Sequence, residues 1–248
     1  MSDLAGDGKP TALSIPGLVE PLYLFLHGDQ DQFVSRKIRT SGIWEPYETR
    51  LVQTYLQPGD TFLDVGANIG YFTILAASIV GSGGRVFAFE PDPENMQLLR
   101  ASAEANGLAA RIDAVQAGLA DSGGAGQLYL SRDNLGDHQI YADAPGRETL
   151  PITLLDGSDY LGGRLSAIDL LKVDTQGSEY RVMAGLLPLL RQLPACPRII
   201  IELTPLSLRR AGASGRQLIE LLAQLEQAFW IVDHVEHRLV ASSAAELA

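Results

Sequence analysis

From Thr61 onward, short apolar runs alternate with longer stretches in which apolar residues recur at helical spacing. The runs predict strands over Thr61 to Val65, Arg85 to Glu90, Arg111 to Ala117, Ile168 to Asp174, Arg198 to Leu203 and Phe229 to His234. The periodic stretches predict helices around Tyr71 to Ile79, Pro93 to Asn106, Glu179 to Leu190 and Gly215 to Gln227. Such alternation gives an α/β fold with a mainly parallel sheet joined by right-handed crossovers. Two stretches depart from the rhythm. Arg238 to Val240 follows the last strand after only a short polar turn, so this pair must be an antiparallel hairpin, because a parallel return needs a crossover of a dozen or more residues. Ser122 to Gly163 contains period-two alternation at Gln127 to Leu130, a polar loop and the apolar LPITLL. It reads as an insertion over the carboxyl edge of the sheet, between the third and fourth main strands. Upstream, Gly42 to Leu56 reads as a helix with Pro46 in its first turn, stopped by Gln57-Pro58-Gly59-Asp60. Residues 1–41 are an N-terminal segment, its first ten residues a loose polar terminus. Residues 42–248 form one domain, with the insertion at about 122–163.

Composition narrows the function classes. At 248 residues and 46% apolar content, the chain has the make-up of a globular protein with a sizeable core. A formal net charge of -11 argues against nucleic acid, whose affinity for proteins comes largely from lysine and arginine. The single cysteine, Cys196, supplies neither a disulfide framework nor a zinc cluster. The apolar stretch Leu18 to Leu26 is short and interrupted by Glu20 and Pro21, so no membrane span and no secretion signal is expected. The expectation is a cytoplasmic protein.

The candidate chemistry begins at FLDVGANIGYFT, Phe62 to Thr73. An apolar strand ends there in an acid and passes through a glycine turn into a helix. Ligands of open parallel sheets sit outside the carboxyl ends of the strands, and glycines at 66 and 70 let a ligand approach the backbone. The helix start offers unpaired N–H groups. The order D-x-G-x-N-x-G is not the G-x-G-x-x-G of dinucleotide sites, and Asp64 would repel a pyrophosphate. That acid suits the cationic aminoacyl group of S-adenosylmethionine. Glu90, at the tip of FAFEP, is placed to accept ribose hydroxyls. Ala117 and Gly118 end the third strand, where an adenine ring slots in, with Asp121 the nearest acid for its amino group. Asp64, Gly66, Ala67, Asn68, Gly70, Glu90, Pro91 and Ala117 are the expected cofactor set.

DVGANIGYFT, FAFEPDP, DNLGDHQIY and TLLDGSDYL…IDLLKVDTQGSEYRVMAGL…PRIIIEL together resemble the FkbM-type methyltransferases, a branch of the class I S-adenosylmethionine-dependent enzymes. The similarity runs from roughly Gly42 to Leu203. It implies a Rossmann-like, seven-stranded methyltransferase sheet and transfer of a methyl group, usually to a hydroxyl of a sugar or natural product. Asp64, Gly66, Asn68 and Gly70 match the family's cofactor turn, Glu90 its ribose acid, and Asp174, Gly177 and Glu179 its D-x-x-G-x-E motif. Gln176 departs from the family, which often has an acid there.

Methyl transfer from a sulfonium requires in-line alignment and a route for the acceptor's proton. Three residues compete as the base. His138 lies in the polar loop Asn134 to His138, Asp174 closes the fourth strand, and Glu202 stands near the end of IIIEL. Asp174, Glu179 and Glu202 also have the hard oxygen chemistry of a divalent-metal site, although Glu179 at a helix start has a structural reason of its own. The expected acceptor is a small hydroxylated molecule. An amine acceptor, or a binding protein that keeps the cofactor site without transfer, stays open on the sequence.

Overall fold

In the computed structural model, which describes residues 8–131, 134–141 and 147–248, the strands and crossover helices fall where the periodicity puts them. The chain opens with the two-residue strands β1 (Thr11–Ala12) and β2 (Tyr23–Leu24) and the helices α1 (Val34–Ser41) and α2 (Pro46–Tyr55). Next come β3 (Thr61–Val65), α3 (Tyr71–Val80), β4 (Arg85–Phe89), α4 (Pro93–Ala105) and β5 (Ile112–Val115). β6 (Gly118–Ala120), β7 (Gly124–Tyr129), β8 (Thr149–Asp156) and α5 (Gly157–Leu161) make up the insertion and its entry. The chain closes with β9 (Leu170–Val173), α6 (Glu179–Leu190), β10 (Arg198–Ile201), α7 (Pro205–Arg210), α8 (Gly215–Ala223), β11 (Phe229–Asp233), β12 (Arg238–Ser242) and α9 (Ala244–Leu247). Seven residues of the expected loose terminus, 1–7, lie outside the described residues, as do 132 and 133 of the insertion's polar loop.

The central sheet is parallel, in the order β10-β9-β3-β4-β5. β3 therefore has β4 on one side and β9 on the other, and the chain order reverses there. That reversal opens a crevice at the carboxyl ends of β3, β4 and β9. Five of the seven expected strands form this sheet. The other two, β11 and β12, pair antiparallel as a separate hairpin, from Phe229 opposite Ser242 to Asp233 opposite Arg238. The third strand is shorter than its apolar run, because the chain leaves the sheet after Val115 and Gly118 joins β8 instead. β6, β8 and β7 then make a second, three-stranded sheet over the crevice.

Alternation along the buried strands builds two cores. Phe62, Ile74 and Leu75 pack on one face, and Leu63, Val65, Leu171 and Leu186 on the other. α3 is apolar nearly all round, with eight of its ten residues buried, so the sheet can cover only one side of it. The N-terminal segment covers the other: Leu13, Ile15, Leu24, Leu26 and Ile38 belong to the same core as Phe62 and Ile74. The boundary expected at residue 41 is thus crossed by a continuous apolar core. Among the described residues, no helix is long and apolar enough to cross a membrane.

Candidate functional site

The turn after β3 needs three left-handed residues in five: Gly66 at φ 84°, Asn68 at φ 52° and Gly70 at φ 89°. A Cβ on Gly66 would collide with the carbonyl oxygen of Asp174, so the β3 and β9 tips touch only because residue 66 has no side chain. The N–H groups of Gly66 and Ala67 both donate to the Phe89 carbonyl, which ties the turn to the tip of β4. Glu90 completes the tie. Its Oε2 accepts from the Asn68 N–H at 2.8 Å, and its Oε1 from the Asp92 N–H at 2.9 Å. Burial raises the Glu90 carboxyl to about 7 against its usual range.

These residues line one cleft. One end holds Gly66, Asn68, Glu90 and Pro91, and the other Asp174, Thr175 and Gln176; Gly118, Leu119, Leu128, Ile140 and Leu154 form an apolar wall. The small three-stranded sheet supplies Leu128 and Leu154, which gives the insertion a role in closing the cleft. Of the expected cofactor residues, Gly66, Asn68, Glu90 and Pro91 line the cleft, whereas Asp64, Ala67, Gly70 and Ala117 stand off its wall. Asp64 is buried beneath the turn, where its Oδ2 accepts from Thr73 Oγ1 at 2.6 Å and burial lifts its carboxyl to about 6. Its side chain braces β3 against α3. Ala117 is buried, and its place beside the cleft is taken by Gly118 and Leu119. Asp121, the acid nearest the expected adenine position, is spent on the surface, where its Oδ1 accepts two bonds from Arg181.

The three candidate bases do not converge. His138 sits over the β4 side, with Nε2 3.7 Å from Asp92 Oδ2. Its Nδ1 accepts the Ser131 N–H at 3.0 Å, so the neutral ring carries its proton on Nε2 and has no lone pair free for an acceptor hydroxyl. Burial lowers its pKa and keeps it neutral. His138 is therefore a wall residue at the Glu90 end and not the base. Asp174 and Glu202 do come together, one past the paired ends of β9 and β10. Gln176 bridges them, its Nε2 donating to Asp174 Oδ1 at 2.9 Å and to Glu202 Oε2 at 3.0 Å. A glutamine suits this position, since an acid would put a third carboxyl against two others.

Lys172, absent from the sequence-based set, decides the charge of this pair. Its Nζ lies 2.9 Å from Asp174 Oδ2 and 4.7 Å from the centre of the Phe72 ring, and its side chain is 5% exposed. Burial alone would lower the lysine, but Asp174, Glu48, Glu45 and Asp64 surround it and hold it above its ordinary value. Burial likewise works to raise Asp174; the Lys172 ammonium and the Gln176 bond prevail and hold it below the usual carboxylate range. Burial and the neighbouring Asp174 push Glu202 up to about 7. The pair thus carries one shared proton below neutrality, resident on Glu202. Glu45, in the loop before α2 at φ 40°, is raised to about 9 by burial and by Glu48.

Glu179 does not join them. Its carboxylate accepts from the Thr175 and Gly177 N–H groups and from Thr175 Oγ1, closing the turn ahead of α6. Among the described residues, no three His, Cys, Asp or Glu side chains converge in a geometry suited to a metal ion. Ser178 also lines the cleft, while its Oγ is buried away from it with no hydrogen-bond partner among the described residues. Such an orphan costs about 1–3 kcal/mol until something fills its bonding capacity. Two more residues that sequence reasoning passed over lie behind Glu90. His27 Nε2 is 2.6 Å from Asn95 Oδ1, and Asn95 Nδ2 reaches Glu90 Oε1 at 3.4 Å.

The chain is similar to known methyltransferases. The family model described as methyltransferase FkbM domain matches residues 64–229, from the cofactor turn to the first residue of the C-terminal hairpin. The chain is 32% identical over 190 residues to the 31-O-demethyl-FK506 methyltransferase FkbM of Streptomyces tacrolimicus, covering 64% of this chain and 70% of that one. Among solved structures, the FkbM methyltransferase of Methylobacillus flagellatus aligns at 16% identity and a TM-score of 0.46, covering 75% of this chain and 46% of that one. An S-adenosylmethionine-dependent O-methyltransferase of Thermotoga maritima aligns at 15% identity and a TM-score of 0.45, covering 97% and 89%. On a family match over well over half its length, this chain belongs to the FkbM family of S-adenosylmethionine-dependent methyltransferases.

Proposed function

We propose that the enzyme methylates a hydroxyl of an uncharged small molecule, a sugar or natural product, with the Asp174–Glu202 pair receiving the proton. The observation that carries this reading is the bridged carboxyl pair, which stands across β3 from Glu90 and so at the end of the cleft away from the ribose. In this reading the Glu90 carboxylate accepts the ribose hydroxyls, and the N–H groups at the start of α3 face the cofactor's carboxylate. The acceptor oxygen attacks the methyl carbon as the carbon–sulfur bond breaks, leaving S-adenosylhomocysteine. Asp174, which lines the cleft, takes the hydroxyl proton and shares it with Glu202 behind it. A base near pH 7 matches proton removal from a hydroxyl as it becomes an oxonium in the transition state. The ionised Asp174 at this end of the cleft, joined by Glu202 above about pH 7, disfavours phosphorylated or carboxylated acceptors by charge repulsion. The name of the Streptomyces relative, which specifies an oxygen of FK506, supports oxygen as the nucleophile. We assign the reaction to the cytoplasm on the single cysteine and absence of a disulfide framework, and exclude nucleic acid as partner on the charge of -11.

The test is titration of the cofactor-stripped protein with S-adenosylmethionine, S-adenosylhomocysteine and NADH, followed by a screen of neutral sugars, polyketides, amines and their phosphorylated or carboxylated analogues. The reading expects binding of the first two ligands alone, and a methyl found on oxygen of a neutral acceptor. A product methylated on nitrogen, or a preference for anionic acceptors, would refute it.

A further inference from the structure

The Asn95 amide has two orientations, and only one of them serves Glu90. Asn95 is the third residue of α4, whose cap, Asp92, accepts the Glu94 and Asn95 N–H groups on Oδ1. A side chain at that position leans back towards the helix start, which brings it to the tip of β4. In a capping box it would accept the N–H of the cap residue. Here Glu90 Oε1 has taken that N–H, from Asp92 at 2.9 Å, and the amide serves another group. With its nitrogen 3.4 Å from Glu90 Oε1 it donates to the carboxylate; turned over, it would set oxygen against oxygen.

His27 decides between the two. Its Nε2 is 2.6 Å from Asn95 Oδ1, the residue is 1% exposed, and its Nδ1 has no partner among the described residues. A proton on Nε2 is donated to the amide oxygen and leaves Nδ1 as an empty acceptor. A proton on Nδ1 would be a buried donor with nothing to receive it. The backbone that carries the ring is itself fixed, since the His27 N–H donates to Ser35 Oγ at 3.2 Å and Arg39 Nη2 donates to the His27 carbonyl at 2.7 Å. His27 lies ahead of residues 64–229, in a segment that the family match does not reach.

We infer that His27 is a positioning residue for the cofactor site: it holds the Asn95 amide with its nitrogen towards Glu90, so that Glu90 meets the ribose hydroxyls as a hydrogen-bond acceptor. This rests on the proposed use of Glu90 and adds to it a residue from the N-terminal segment. The other titratable groups at this end are Asp92, next to the tip of β4, and His138 of the insertion, whose Nε2 lies 3.7 Å from Asp92 Oδ2.

The experiment is calorimetric titration of wild type, His27→Leu and His27→Gln with S-adenosylhomocysteine and with its analogue lacking both ribose hydroxyls. Leucine fills the space without a donor, and glutamine restores an N–H. Wild type is expected to bind S-adenosylhomocysteine about tenfold more tightly than the analogue, His27→Leu to lose that preference while still binding the analogue as wild type does, and His27→Gln to recover most of it. The ratio of the two affinities isolates the hydroxyl contact from Asp92 and His138, which act on both ligands. In wild type it should fall as pH drops through about 7, where Glu90 gains its proton, and in His27→Leu the fall should begin at higher pH. A histidine that only fills space would weaken both ligands alike and leave the ratio and its pH dependence in place. Equal losses on both ligands, an unchanged ratio, or no recovery in His27→Gln overturns the assignment. Should His27→Leu fail to fold, Asn95→Asp, which keeps the shape of the amide and removes its donor, carries the same expectation, and an intact ratio there overturns the assignment too. Wild type that binds neither ligand, or both equally, overturns the ribose reading of Glu90 itself, a result distinct from the others.

Discussion

Replacing Lys172 with methionine tests the electrostatic account of the carboxyl cluster, because it keeps the bulk of the side chain and removes only the charge. At 2.9 Å and an effective dielectric constant of about 20, attraction between the Lys172 ammonium and Asp174 amounts to roughly 6 kcal/mol before desolvation. Removing one partner from such a buried pair typically costs about 3–5 kcal/mol, because the other charge is left uncompensated. The sign of the pH dependence follows from the neighbours. Asp64 and Glu45 keep their protons up to about 6 and about 9 in the folded protein, against 3.8 and 4.5 in the unfolded chain. Each therefore subtracts stability as pH rises from its unfolded value towards its folded one. Asp174 behaves oppositely, since its depressed value adds stability above 3.8 that is lost as pH falls. Without the ammonium, the folded values of Asp64 and Glu45 move higher still and the Asp174 contribution disappears. Urea unfolding at pH 8 should show the full loss of about 3–5 kcal/mol, and at pH 5.5, where Asp64 has become largely protonated, a clearly smaller one. A loss below about 1 kcal/mol at pH 8, or equal losses at both, would refute the reasoning.

Two further outcomes follow from the site. With a neutral acceptor, kcat/KM should rise with pH through about 7 as the Asp174–Glu202 pair sheds its shared proton; Glu202→Gln should abolish that limb while His138→Gln leaves it, as read from pH–rate profiles. Gly66→Ala should eliminate S-adenosylhomocysteine binding and lower the melting temperature, because its Cβ would strike the Asp174 carbonyl. Gly107→Ala, at φ 66° with open space around it, should cost only about 1–2 kcal/mol and keep binding, measured by the same titration and melt.

The sheet was legible because a strand buried on both faces, such as TFLDV or LLKV, reads as a short apolar run whatever its neighbours. The place of Gly66 and Glu90 on the cleft wall was legible for a related reason: both stand at strand tips, where a crevice opens in a parallel sheet. What stayed hidden was direction and partnership. Periodicity places Asp64 at a tip but does not say that its side chain points under the turn towards Thr73. The composition of the loop marks His138, yet only the fold reveals that Ser131 occupies its acceptor nitrogen. Lys172 looked like one residue of an apolar strand, and its meaning depends on Glu45 and Glu48, more than a hundred residues earlier. The third strand was carried on to Ala117, and β6 was not foreseen, because the apolar run continues through the point where the chain changes sheets.

The contact between His27 and Asn95 joins the two ends of the chain's first half. Asn95 steadies Glu90 on one side and holds, through His27, a segment whose leucines cover α3 on the other. Anything that firms Glu90 therefore also firms the N-terminal segment, and loosening that segment must weaken the site by the same free energy. Shortening the chain to begin at the cofactor motif would remove more than an appendage: it would uncover the most apolar helix and leave the cofactor site without its rear support.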